Sequence, residues 1–80
     1  MFTEILAHDY EPIRQYRYGN EVEVISLFDP YECFVNINNI CYISDVSEQV
    51  EDDGKFYQLR MNNDVSLVIE GRELVKLVRQ

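Results

Sequence analysis

The 80-residue chain has little of what enzymes and metal sites are usually built from. It contains one histidine, two cysteines, three glycines, two prolines and no tryptophan. His8, Cys33 and Cys41, without a CxxC pair, are too few ligands for a closed zinc site. No phosphate-binding loop, nucleophile elbow, HExxH motif or dinucleotide fingerprint is present. We therefore expect a protein that is not an enzyme and has no cofactor and no metal site.

Long apolar runs are also missing. No stretch approaches the roughly 18 apolar residues of a membrane-spanning helix, and the first residues lack the basic segment that opens a signal peptide. Small secreted domains usually carry more than two cysteines. These absences predict a cytoplasmic protein with no membrane partner, in which Cys33 and Cys41 act as small buried hydrophobic residues.

Basic residues are scarce and unevenly distributed. Fifteen acids against seven bases give a formal net charge of −8, which argues against direct binding to nucleic acid. No Lys or Arg lies between Arg17 and Lys55, and this interval holds nine acids: Glu21, Glu23, Asp29, Glu32, Asp45, Glu48, Glu51, Asp52 and Asp53. Such a concentrated negative field can steer a chain onto a basic partner. The alternative is that the acids supply only solubility.

Short runs rich in Val, Ile, Phe and Tyr, separated by polar turns, are typical of an all-β domain. Alternation predicts a strand from Glu21, and apolar residues on both faces near Ile25 indicate either a bulge or a strand covered on both sides. Residues 31–37 and 40–46 predict further strands, and residues 56–61 and 65–70 predict a hairpin. Residues 71–79 have helical spacing, which places Leu74, Val75, Leu77 and Val78 inside and Arg72, Glu73, Lys76 and Arg79 outside.

The predicted fold is mainly β (β+α): one domain with a small antiparallel sheet or partly open barrel of about five strands and a short C-terminal helix. In this prediction, residues 1–18 are an N-terminal extension, residues 21–70 form the sheet and residues 71–79 form the helix. Within the extension, Thr3 can begin a helical turn that Pro12 ends, and residues 13–18 can add an edge strand.

Residues 24–79 resemble a family of very small proteins, the flagellar FlbD-type proteins and similar short open reading frames of bacteriophages. The matching segments are Val24-Ile25-Ser26-Leu27, residues 34–40 with Ile43, residues 56–59, residues 65–69 and residues 70–75. The chain differs from the family in its N-terminal extension, in its longer acidic loop at 47–55 and in Gly71, where the family usually has Ser. The resemblance implies a compact β-sheet module with a terminal helix and brings no catalytic residues.

These features predict a non-enzymatic acidic protein-binding module, a phage or mobile-element accessory protein that inhibits a basic host protein. One candidate host protein binds nucleic acid, with carboxylates taking the place of phosphates in its groove. The predicted partner-binding residues are the nine acids named above and Tyr31. Tyr10, Tyr16 and Tyr18 also lie near polar residues or turns, where tyrosine beside carboxylates forms a common recognition surface.

Two alternatives stay open. The first is a structural or assembly module that self-associates into a homo-oligomer through an edge strand or an apolar face. Phe56 and Val68 are its candidate contact residues, because both fall out of phase with the residues predicted to be buried. The second alternative is a protein that sequesters a small ligand in a tyrosine-lined pocket between protomers.

Overall fold

The computed structural model describes residues 2–78, which form seven β-strands and one α-helix. The elements are β1 (Phe2–Ala7), β2 (Tyr10–Arg17), β3 (Asn20–Leu27), β4 (Tyr31–Asn36), a 3-10 turn (Ile37–Asn39), β5 (Ile40–Asp45), β6 (Phe56–Met61), β7 (Ser66–Glu70) and α1 (Gly71–Val78). The strands pair into three small antiparallel sheets, β1–β4, β2–β3 and β5–β6–β7, which do not close. The predicted mainly β fold with a C-terminal helix is confirmed. Residue 79 of the predicted helix lies outside the described residues.

Residues 2–36 form one long antiparallel hairpin with a bulge near its middle. Ala7 pairs with Tyr31 in the first half and Tyr10 pairs with Leu27 in the second, so residues 8–9 face residues 28–30. One extra residue on one strand bends a ribbon and increases its twist. The prediction of a helical turn from Thr3 is therefore wrong, because β1 and β2 fill this part of the hairpin, and the predicted edge strand at 13–18 overlaps β2.

The bend lies on the outer edge of β7. The N–H of His8 donates to the carbonyl of Val68 at 2.8 Å, and the N–H of Val68 donates to the carbonyl of His8 at 3.1 Å. The His8 side chain is buried, and its Nδ1 lies 2.7 Å from the carbonyl oxygen of Phe28. This contact ties the two strands together where the bulge interrupts their ladder.

The bent hairpin covers both faces of the β5–β6–β7 sheet. Successive residues of a strand point to opposite faces, and in β7 the consecutive residues 67–69 are all buried. On one face, the core consists of Ile5, Ala7, Val35, Leu59, Leu67, Ile69 and Leu77. On the other face, the core consists of Ile25, Val46, Val50, Phe56 and Val68. The first half of the hairpin thus packs on one face and the second half packs on the other.

Two sequence predictions are decided by this arrangement. Val24 and Ile25 are both buried, so β3 is covered on both sides at this point. Phe56 and Val68 are only 5% and 0% exposed. The prediction that they form a self-association surface is wrong, because the sheet that carries them has a core on each face.

The helix α1 covers the outer edge of β1 through a buried carboxylate. Glu73 is 4% exposed, and its Oε1 accepts hydrogen bonds from the N–H of Leu6 at 2.8 Å and from the Nζ of Lys76 at 2.9 Å. The prediction that Glu73 faces solvent is wrong, because this edge amide needs an acceptor where no strand pairs with it. Val75 and Val78, predicted inside, are exposed.

Opposing effects act on the pKa of Glu73. Burial raises it, but the hydrogen bond from Leu6 and the cations of Lys76 and Arg72 outweigh burial, so the net pKa lies below its ordinary value. A depressed folded pKa stabilises the fold above the unfolded pKa of 4.5, and this stabilisation is lost as the pH falls through the folded pKa.

We expect Glu73→Gln to lower the free energy of unfolding at pH 7 by about 1–2 kcal/mol, because charge-assisted hydrogen bonds at a buried position are lost. The difference from the wild type should shrink as the pH falls below 4.5. Urea unfolding at several pH values measures both effects. The matched control is Glu70→Gln, which removes a more exposed carboxylate that pairs with Arg72 at 3.0 Å and should cost less. If Glu73→Gln and the wild type differed in free energy of unfolding by the same amount at every pH, the depressed pKa of Glu73 would be contradicted.

Candidate partner-binding surface

The distal half of the long hairpin, residues 13–24, forms a projection that we call the hairpin arm. The molecule measures 46 × 24 × 19 Å, and the side chains of Arg14, Tyr16, Arg17 and Tyr18 on the arm are exposed. Just before the arm, Pro12 pairs with Ile25. The N–H and carbonyl of Ile25 point away from β2, so the N–H that Pro12 lacks leaves no gap in the β2–β3 ladder.

A two-residue turn closes the tip of the arm. Tyr18 has φ 54° and Gly19 has φ 79°, and positive φ at both central residues matches the type I′ turn that suits a twisted hairpin. Glycine adopts this conformation freely, whereas tyrosine there costs about 1 kcal/mol. The Tyr18 side chain is 101% exposed, so packing within residues 2–78 does not offset this cost.

The loop between β5 and β6, residues 46–55, lies beside β3, and we call it the acidic loop. The N–H of Ile25 donates to the carbonyl of Gln49 at 2.7 Å, and the N–H of Glu51 donates to the carbonyl of Ile25 at 3.2 Å. Val46 and Val50 anchor the loop in the core. These contacts fix the start of the acidic loop against the base of the arm.

Five carboxylates of β3 and the acidic loop have no ion-pair partner among residues 2–78: Glu23 on β3, and Glu48, Glu51, Asp52 and Asp53 on the loop. Gln15 on the arm donates to Glu51 at 3.3 Å, which joins the arm to the loop. Glu21 lies on the same strand and pairs with Arg14 at 3.2 Å. Uncompensated charges of one sign produce a field that reaches about 8 Å into physiological salt.

The other three predicted acids lie outside the acidic loop. Asp29 is in the bend of the long hairpin, and Glu32 is on β4 opposite Leu6. Asp45 ends β5 and borders the acidic loop, where it lines the same cavity as Glu48. Hydrogen bonds from the hydroxyl and the N–H of Ser47, and the Lys55 cation at 3.8 Å, lower the pKa of the Asp45 carboxyl. Asp45 therefore differs from the loop acids in being paired with a cation.

Tyr31 also lies away from the acidic loop. Its hydroxyl donates to the carboxylate of Asp9 at 2.9 Å, and burial, this hydrogen bond and the Asp9 charge raise the pKa of Tyr31 to about 12.

Burial and the charge of Asp9 raise the pKa of the nearby Cys33 thiol, which disfavours the nucleophilic thiolate. The prediction that both cysteines are buried is confirmed only in part for Cys33, which is half-buried. The prediction is wrong for Cys41, which is exposed on the edge strand β5.

The sequence indicates that Tyr16 and Tyr18 lie near polar residues or turns, but it does not show which acids lie beside them. Tyr16 is 79% exposed and pairs across the arm with Glu21. The available signal was the turn Tyr18-Gly19-Asn20 between two extended segments. The hairpin that it closes places the aromatic tip and the acids of β3 on one element.

Within residues 2–78, no three His, Cys, Asp or Glu side chains are placed so that they could hold a metal ion. No helix in the described part of the chain is long and apolar enough to cross a membrane. Comparison with models of protein families, with curated proteins and with solved structures finds no match. The resemblance to FlbD-type and phage proteins stays a prediction.

Proposed function

We propose that this chain is a non-enzymatic module that binds a basic protein through the hairpin arm and the acidic loop. The observation that carries the proposal is the position of Tyr18, which is fully exposed, in a costly backbone conformation, at the tip of the arm. The arm and the adjoining acidic loop carry five carboxylates that have no ion-pair partner among residues 2–78. Protein interfaces often combine an exposed aromatic anchor with charges that match those of the partner.

The negative field favours a basic surface as the target. Carboxylates on the acidic loop and on the adjoining strand of the arm suit a groove lined with Lys and Arg, such as one that otherwise receives phosphates. Occupying such a groove would inhibit a nucleic-acid-binding protein, which is the role we propose for a phage or mobile-element accessory protein. Both cysteines are free, which fits a reducing compartment such as the cytoplasm.

We expect binding to depend on which carboxylates are neutralised and not only on how many. The test variant carries Glu48→Gln, Glu51→Gln, Asp52→Asn and Asp53→Asn, and the control variant carries Glu4→Gln, Glu11→Gln, Asp29→Asn and Glu32→Gln. Both reduce the net charge equally. With about 0.5 kcal/mol for each exposed ion pair, the test variant should bind its partner about thirtyfold more weakly.

The measurement uses each variant as bait in a nuclease-treated bacterial lysate, with elution by stepped salt. A basic protein that the wild type and the control retain to the same salt step, and that the test variant releases earlier, supports the proposal. Equal losses from both variants would show that net charge alone drives retention, and the acidic loop would then not be the binding surface.

The edge of β5 favours a second candidate function, self-assembly. β5 pairs with β6 alone within residues 2–78, and it exposes Tyr42 and Ile43. Its six residues include neither the Lys nor the Pro that commonly protects an edge strand from pairing. If two copies paired through β5, their two three-stranded sheets would join into one continuous sheet.

This candidate predicts a dimer at micromolar concentration that Ile43→Lys dissociates, because a charge at the centre of the edge opposes strand pairing. Size-exclusion chromatography with light scattering measures the mass. Val65→Lys is the control, since Val65 is similarly exposed but lies in the turn between β6 and β7. A wild type that is monomeric over the whole concentration range would exclude self-assembly through β5.

A further inference from the structure

We propose that the partner supplies an extended segment of alternating basic and apolar residues, which adds as a new strand to the outer edge of β3 at Glu21 and Glu23. The inference rests on the proposed function and adds the mode of recognition and the chemistry of the recognised segment. Strand addition at an exposed edge is a common way of binding extended peptides, with main-chain hydrogen bonds supplying affinity and alternate side chains supplying specificity.

The backbone of β3 shows which groups are open. The N–H and carbonyl of Ile25 point away from β2 and bond the acidic loop. Because backbone orientation repeats every second residue, those of Glu23 and Glu21 point the same way. The two-residue turn supports this orientation. The residues that flank it, Arg17 and Asn20, form a hydrogen-bonded pair at the start of the ladder, so the backbone groups of the next residue, Glu21, point away from β2.

These outward groups have no backbone partner in the described chain. Outside the β2–β3 ladder, no backbone hydrogen bond of residues 2–78 involves Glu21 or Glu23. The acidic loop pairs with β3 at Ile25 and does not continue toward the tip. The edge therefore offers two donors and two acceptors in a row, next to the point where a neighbouring segment already pairs with the same strand.

A groove follows this edge and gives the added strand a place to lie. It has a volume of about 310 Å³ and runs between β3 and the turn of the acidic loop at Glu48 and Gln49. Val22 and Val24 line it on one face of β3, and Tyr18 and Arg17 line it at the tip. An added strand would thus meet apolar side chains on this face.

The opposite face determines the charge of the segment. Glu21 and Glu23 lie on the other face of β3 from Val22 and Val24, because side chains alternate along a strand. Residues that lie opposite each other on neighbouring strands interact, and opposite charges there are favourable. Glu23, which has no ion-pair partner among residues 2–78, favours a basic residue opposite it, and Glu21, which pairs with Arg14 at 3.2 Å, adds to the negative field there. Basic residues on this face, alternating with apolar residues against Val22 and Val24, are the pattern that this edge selects.

The probe is a capped seven-residue peptide of alternating arginine and valine, and the readout is amide hydrogen exchange of the full chain by NMR. With saturating peptide, exchange of the Glu21 and Glu23 amides should slow at least tenfold. The Val22 and Val24 amides belong to the β2–β3 ladder already and should change little. Unchanged exchange at Glu21 and Glu23 in the peptide-bound protein would overturn the inference.

Backbone variants separate strand addition from charge. Peptides N-methylated at every arginine or at every valine keep their charge, and one of the two should bind at least tenfold more weakly, because only one set of N–H groups faces β3. In the protein, Glu23→Pro should weaken binding at least tenfold beyond Glu23→Gln, since both lose the charge and only the first loses the outward N–H. Urea unfolding checks that both variants fold.

The outcomes distinguish this inference from the proposed function. Equal binding of all three peptides, abolished by neutralising the acidic loop, would overturn strand addition and leave the proposed function standing. No binding of any peptide would overturn strand addition as well. A lysate partner retained through the acidic loop would then still support the proposed function, and the absence of one would contradict both.

Discussion

The reciprocal backbone hydrogen bonds between His8 and Val68 are the contact on which the rest of the architecture depends. They fix the bend of the long hairpin to the edge of β7. From this point, the first half of the hairpin packs on one face of the β5–β6–β7 sheet and the second half packs on the other. A chain of 80 residues has little surface to bury. Because one hairpin packs on both faces of the small sheet, a hydrophobic core forms on each face.

The same bend creates the candidate binding surface. Once the base of β3 is fixed over Val68, the rest of the β2–β3 ribbon projects as the hairpin arm, and Val46 and Val50 hold the acidic loop beside it. The like charges of Glu23 and the acidic loop repel one another, which is unfavourable for folding. Packing of Val46 and Val50 in the core opposes this repulsion. The carboxylates are therefore already gathered before any partner arrives, and less ordering is required on binding.

Local patterns in the sequence predicted those parts of the fold that local physics determines. The β6–β7 hairpin and α1 were found because Leu59, Leu67 and Leu77 recur at the strand and helix periods. The sequence does not predict β1, and it predicts β2 only in part, as an edge strand over residues 13–18, because Pro12 reads as a break. The pairing of Pro12 with Ile25 shows why proline is tolerated at this position. A bulge between residues 8–9 and 28–30 leaves no signal in either strand taken alone.

The candidate site was predicted in part, for related reasons. Acid content was evident from the sequence, but the bend decides that Glu23 lies near the acidic loop while Asp29 and Glu32 lie apart from it. Phe56 and Val68 were assigned to the surface because a strand with one buried face was assumed. Glu73 was assigned to solvent because helix periodicity does not show that the edge of β1 needs an acceptor.

We propose that the tip of the arm is maintained for contact with a partner at a cost to the stability of the fold, and the variant Tyr18→Asn separates these two effects. Asparagine accepts positive φ more readily than tyrosine, so the variant should unfold at a higher urea concentration. The decisive measurement is its Kd for the partner retained by the wild type. We expect a Kd at least tenfold higher in this more stable variant. An unchanged Kd would show that the tip of the arm is not part of the binding surface.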